Sequence, residues 1–345
     1  MTVRPDTGTG PALAELRDAD ATARRAATWT RHWAGGAAHS CAGSFGERYG
    51  GAIAAFWRQV AQDLPDGAKV LDLATGNGAV PRLLLDATGS RAVTIDAIDL
   101  AEVEPAWRAT LPHERQARLR FHGGQRAEVL PFADACFTLV TSQYGLEYTD
   151  LSRSVPELLR VLATGGRAAL VMHHAASRPV SLARVELGHL DWLRSPQGLL
   201  PTARAMLPLL ARARTAEGRL ALQRDAQAEA CRVAFNDAQD MLRRRATEVD
   251  GADVLAEMHD AMNAALQRAL DGGLAQAEAA WQAAADALQD SQLRLQELVA
   301  HALDDDALAG LLAMLARAGL QELQLGTLAE RGHLMGWSLT LTRRR

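Results

Sequence analysis

Between residues 65 and 178, five short apolar runs alternate with stretches of helical pattern. The runs fall at 69–73, 92–100, 118–122, 137–142 and 167–173. Each is too short for a buried helix and rich in Val, Ile, Leu and Phe, so each reads as a strand. A strand that returns through a helix re-enters its sheet in the same direction. The alternation therefore restricts this stretch to an α/β domain built on a parallel sheet. Pro65-Asp66-Gly67 reads as a turn before the first run, and Thr164-Gly165-Gly166 as a turn before the last.

The rest of the chain divides around that core. Residues 1–10 read as a disordered tail. Residues 11–64 read as helical, with Trp29, Trp33, Phe45, Tyr49, Phe56 and Trp57 crowded near glycines. Residues 179–302 are rich in Ala, Leu, Gln, Arg, Glu and Asp, mostly good helix formers. There Leu255, Met258, Met262, Leu266 and Leu270 recur at helical spacing, and Trp281, Leu288 and Leu295 repeat every seven residues. Such stripes fit a bundle packed on itself, a dimer interface or a lid. From 303 to 345 the α/β pattern returns: a helix at 307–320, then strands at 322–328 and 333–342. The helical block thus reads as an insertion into the α/β domain.

Composition excludes several classes. The net charge of −4 gives no basic field for nucleic acid. Lys69 is the only lysine, which removes lysine chemistry elsewhere. Cys41, Cys136 and Cys231 form no CxxC pair, which argues against a disulfide framework or a zinc site. No carboxylate cluster suggests a metal; Asp304-Asp305-Asp306 reads as a helix N-terminus. The opening MTVRPDTGTG has no apolar signal core, and no run is long enough to span a bilayer, so the expectation is cytoplasmic.

The stretch VLDLATGNGA, residues 70–79, carries the chemistry. A tight glycine loop after a strand lets backbone approach a ligand. A dinucleotide fingerprint needs a third glycine where Pro81 stands. What stands instead is an acid ahead of the glycines: Asp72, Ala74, Gly76, Gly78. A carboxylate there suits a cationic group and would repel pyrophosphate. Asp99 ends the next run, where a carboxylate can accept both hydroxyls of a ribose; Asp96 is its rival.

The order VLDLATGNGAVPRLLL, AIDLA, AEVLPFADACFTLVTSQYGLEY, RVLATGGRAALVMHH resembles class I S-adenosylmethionine-dependent methyltransferases of the ubiquinone/menaquinone type. The resemblance covers residues 65–178 and 303–343. It implies a Rossmann-like, mostly parallel seven-stranded sheet with N-terminal helices that close over the cofactor. It implies S-adenosylmethionine as cofactor and transfer of its methyl group to a small-molecule acceptor. Asp72, Ala74, Gly76, Asn77, Gly78, Asp99, Leu100, Arg126, Ala127 and Gln143 match cofactor-binding positions. Arg126 departs from the pattern: relatives commonly carry Asp there, and arginine cannot accept the adenine amino hydrogen bond. Trp33, Tyr49 and Tyr144 are candidates for the acceptor wall. His173 and His174, at the end of the fifth run, are candidate bases, of which alternation turns at most one inward. Glu147 and Tyr148 are weaker candidates. A protein or peptide acceptor docked on the insert, or a non-catalytic cofactor-binding scaffold, are the alternatives. A homodimer through the insert is a further expectation.

Overall fold

The computed structural model describes residues 11–38, 49–248 and 252–344. The tail expected at 1–10 and the position of Phe45 lie outside the described residues.

The chain divides into two compact units, Met1–Pro179 with His301–Arg345, and Val180–Ala300. The first is built on one seven-stranded sheet in the order β3-β2-β1-β4-β5-β7-β6. Its strands are β1 (Lys69–Leu73), β2 (Thr94–Ile98), β3 (Leu119–His122), β4 (Phe137–Gln143), β5 (Leu162–Met172), β6 (Leu320–Glu330) and β7 (His333–Arg343). Strands β1 to β5 are parallel; β7 joins β5 antiparallel and β6 pairs with β7 as a hairpin. This is a Rossmann-like α/β sheet whose order reverses beside β1.

Period-2 alternation divides the strand residues between two cores. Val70, Ile95, Leu119, Leu139 and Val171 pack with the helix at Gly51–Gln62 and the one at Ala79–Thr88. Leu71, Leu73, Ile98, Val140, Leu170 and Leu339 pack with those at Leu151–Val161 and Asp305–Arg317. Asp304 caps the last of these by accepting from Ala307 N–H at 2.9 Å, as the acidic triplet predicts. Arg91 fastens one face by donating to the Ala61, Gln62 and Leu64 carbonyls at 2.9, 3.1 and 2.6 Å.

Two local expectations change. Strand β5 begins at Leu162, so Thr164-Gly165-Gly166 is an irregularity within the strand and not a turn before it. The register moves from Phe137↔Leu162 to Leu139↔Arg167, and Gly165 takes φ +72°, which a glycine adopts without a Cβ penalty. Strand β2 stops at Ile98 because the Asp99 side chain turns back to backbone N–H groups.

The second unit is helical, with helices including Leu199–Arg212, Ala226–Glu248, Asp253–Asp271 and Leu274–His301. Most of its apolar stripe is buried within itself: Leu255, Met258, Met262 and Leu288 pack with Leu190, Leu199, Phe235 and Leu242, while Leu270 at the end of the stripe is exposed. Trp281 Nε1 donates to the Leu200 carbonyl at 2.9 Å and its ring lies under the Arg204 guanidinium at 4.6 Å.

Candidate functional site

In open α/β sheets, ligands meet the carboxyl ends of the strands where the strand order reverses. Here the ends of β1, β2 and β4 bring Asp72, Ala74, Ile98, Asp99, Leu100, Gln143 and Tyr144 to one pocket.

The turn after β1 is shaped by its glycines. Gly76 and Gly78 have φ of +52° and +74°, and Gly78 caps the helix Ala79–Thr88. A Cβ on Gly76 would lie 2.5 Å from the Trp33 ring, and one on Gly78 2.7 Å from Phe121. The loop thus needs glycine for close packing. Neither glycine is part of the pocket wall. The Gly76 N–H donates to Asp99 Oδ2 at 2.7 Å, and the open side of Gly78 faces Phe121 and Trp107. The loop's wall residues are Ala74, Thr75, Asn77 and Ala79.

Two buried carboxyls dominate the electrostatics. Burial pushes Asp72 up to about 7, against the hydrogen bond from Thr141, with a smaller push from the charge on Asp99. Thr141 Oγ1 donates to Asp72 Oδ1 at 2.6 Å. Burial likewise pushes Asp99 up to about 6, opposed by the N–H groups of Ala101 and Gly76. An anion in so little water is costly until a ligand cation or hydroxyl faces it. Asp96 has another role. It takes Arg120 at 2.8 and 2.7 Å and His122 at 2.8 Å. Burial would raise its carboxyl, but these partners outweigh that and hold it below its usual range.

The N-terminal helix, Pro11–Ala34, supplies the opposite wall with Thr22, Arg25, Trp29 and Trp33. Asn77 Nδ2 donates to the Trp33 and Ala37 carbonyls at 2.9 and 2.7 Å. Glu102 N–H donates to Thr30 Oγ1 at 2.9 Å, and Arg25 to the Tyr148 carbonyl at 3.3 Å. All three tyrosines of the chain, Tyr49, Tyr144 and Tyr148, meet Trp29 and Trp33 at this pocket. The two tryptophans are stacked 5.6 Å apart. Arg126 and Ala127 also line it, with Gln125 and Glu128. Arg126 Nε lies 3.5 Å from Glu128 Oε2, a long contact that leaves the guanidinium at the rim.

The pocket thus gathers Asp72, Ala74, Asn77, Asp99, Leu100, Arg126, Ala127, Gln143, Trp33, Tyr49 and Tyr144. It does not gather His173 and His174. His173 is buried, bonded to Glu147 and stacked under Tyr144; His174 stacks on Trp337 with ring centroids 4.3 Å apart. The strand ends at Met172, so alternation no longer decides where either ring points. Sequence reading missed Thr22, Arg25, Gln125 and Thr149. The first two stand on a distant helix with no motif. Gln125, beside Arg126, could have been found from that segment.

Three comparisons bear on this site. Residues 70–166 match the model of a methyltransferase domain. The 2-phytyl-1,4-naphtoquinone methyltransferase of Thermosynechococcus vestitus is 31% identical over 152 residues, covering 43% of this chain and 64% of its own. The ubiquinone/menaquinone biosynthesis C-methyltransferase UbiE of Xylella fastidiosa is 35% identical over 107 residues, 30% of this chain and 42% of its own. The chain spans less than two thirds of the length of these relatives. Among solved structures, a SAM-dependent methyltransferase from Aquifex aeolicus superposes with a TM-score of 0.31 at 21% identity, covering 35% of this chain and 66% of its own. The stretch that matches the methyltransferase domain, residues 70–166, carries β1 to β4 and the start of β5.

Proposed function

We propose that this protein transfers the methyl group of S-adenosylmethionine to a small, planar, largely apolar acceptor. The observation that carries the reading is the convergence of Asp72 and Asp99 with an aromatic wall in one pocket. A carboxylate at each strand end suits the two polar parts of that cofactor. Asp72 would face its ammonium group and Asp99 its ribose hydroxyls. Leu100, Ile98 and Ala127 offer the apolar slot an adenine needs, with Arg126 and Gln125 at its rim. The glycines let the loop pack against Trp33 and Phe121, and that packing leaves Ala74, Thr75, Asn77 and Ala79 on the pocket wall.

The cofactor, when bound, supplies an electrophilic methyl group on a sulfonium. What remains for the protein is alignment of an acceptor with that methyl and exclusion of water. Trp29, Trp33, Tyr49, Tyr144 and Tyr148 fit that work, because flat rings hold a flat ligand with little loss of entropy. Among the described residues no imidazole lines the pocket, so His173 and His174 are given no contact with the acceptor. The quinone substrates in the names of the relatives are of the same planar class.

The test is calorimetric titration with S-adenosylmethionine and S-adenosylhomocysteine, on the wild type and on Asp99→Ala. Saturable binding that the substitution weakens at least tenfold supports the reading. A wild type that binds neither compound overturns it.

A further inference from the structure

Glu147 and His173 are the most deeply buried ionisable pair beside the pocket, and the proposed transfer uses neither. Their side chains are 0% and 1% exposed. One oxygen, Glu147 Oε1, takes the backbone N–H of His173 and meets its Nδ1, each at 2.9 Å. A single acceptor thus fixes both the backbone and the ring plane of the same residue. Burying such a pair is costly, and an apolar pair of similar volume would often serve stability as well. What such a pair does provide is a fixed geometry.

The ring of His173 faces two of the pocket tyrosines. It stacks on Tyr144 at 4.1 Å between centroids, 28° from parallel, and stands edge-on to Tyr148 at 5.9 Å. Tyr144 is held elsewhere as well. Its N–H donates to the Val171 carbonyl at 2.7 Å and its hydroxyl to the Met335 carbonyl at 3.1 Å. Its φ is +54°, a conformation uncommon for a side chain this large. A residue kept in that region needs support from its surroundings, and the imidazole gives it on the ring face.

We infer that His173, held in place by Glu147, is a positioning residue, which acts through Tyr144 to hold the aromatic wall where bound S-adenosylmethionine meets the acceptor. The inference rests on the proposed function, since it needs that ligand in the pocket. Glu147 orients the imidazole, the imidazole backs the Tyr144 ring, and the ring presents its other side to the ligand.

The experiment is calorimetric titration with S-adenosylmethionine of the full chain, with thermal melts confirming folding. The variants are His173→Ala, His173→Phe, Tyr144→Ala and the double variant His173→Ala/Tyr144→Ala. Loss of the backing ring should weaken binding about tenfold in His173→Ala, while His173→Phe, which keeps a flat ring there, should stay within about threefold of wild type. The double variant should bind no more weakly than Tyr144→Ala alone, because both substitutions remove one device. Additive losses, wild-type affinity in His173→Ala, or loss of binding in folded His173→Phe would each overturn the inference. If His173→Ala does not fold, His173→Phe against Tyr144→Ala decides alone: near wild-type binding in the first with loss in the second supports it, any other pattern overturns it. Failure of the wild type to bind would instead strike the proposed function.

Discussion

Ligand affinity should fall as the solution is acidified from pH 7.5 to 6, and Asp72 should be the cause. Its buried carboxyl titrates near 7, so in the free protein much of it is protonated at neutral pH. A ligand ammonium pairs with the ionised form. With a pKa of about 7, binding to the anion is weakened about 11-fold at pH 6 and about 1.3-fold at pH 7.5, a ratio of about eight. That is about 1.2 kcal/mol of binding free energy. Asp99, near 6, adds about a further twofold at pH 6 where its anion accepts the ribose hydroxyls. The assay is titration calorimetry with S-adenosylhomocysteine in buffers of different ionisation enthalpy. At pH 6.5 the heats should show release of about 0.8 proton per ligand from Asp72. Thr141→Val supplies the control. The Thr141 hydroxyl lowers the Asp72 pKa, so its loss should move the pH dependence to higher pH. Affinity that is flat or rises toward pH 6, or a Thr141→Val variant with an unmoved profile, would refute this reasoning.

Other outcomes follow from the same geometry. In the free protein the signs run the other way: folded Asp72 and Asp99 hold protons that the unfolded chain has released, so their contribution to stability is full below about pH 4 and lost as pH rises through about 6 and 7. Thermal melts without ligand should show this part as a lower Tm at pH 8 than at pH 5. Gly145→Ala would place a Cβ 2.3 Å from the Ala74 Cβ, with Ala74 itself at φ +53°; a loss of about 1–3 kcal/mol in chemical denaturation is expected. Asp96→Asn weakens the contact with Arg120 and should cost about 1–2 kcal/mol of stability while leaving ligand affinity within about twofold. Replacing Val180–Ala300 by a short Gly-Ser linker should leave a folded first unit. Its cores share no residue with those of the helical unit, and the flanking Ala175 N–H already donates to the Leu303 carbonyl at 2.9 Å; a molten far-UV and near-UV spectrum of the excised form would contradict that.

Local periodicity fixes much of this molecule before any contact is considered. Alternation of apolar residues over 69–73 and 137–142 needs only neighbouring residues to specify a strand with two faces. The acid and glycines of residues 72–78 specify a tight loop for the same local reason. Asp99, which follows β2, lines the pocket, whereas Asp96 inside β2 is taken up by Arg120 and His122. The capping triplet at Asp304 is another local device.

What local pattern could not decide is where a side chain points once its strand has ended. Alternation stops at Met172, and the orientation of His173 is set instead by Glu147, 26 residues away. Gly76 lies in the expected loop, yet its N–H serves Asp99 because the two strand ends pack side by side. The wall opposite them comes from Arg25 and Trp29, and Arg25 reaches the Tyr148 carbonyl across 123 residues of sequence. The stripe of Leu255, Met258 and Met262 announced burial without naming its partner, which only the folded helices supply. Sequence determined the elements and the acidic edge of the pocket, because those rest on interactions between near neighbours. The tertiary structure alone decided how the pocket's aromatic rings meet Trp29 and Tyr148 and how Glu147 and His173 pair, because those rest on contacts between residues that meet only when the chain is folded.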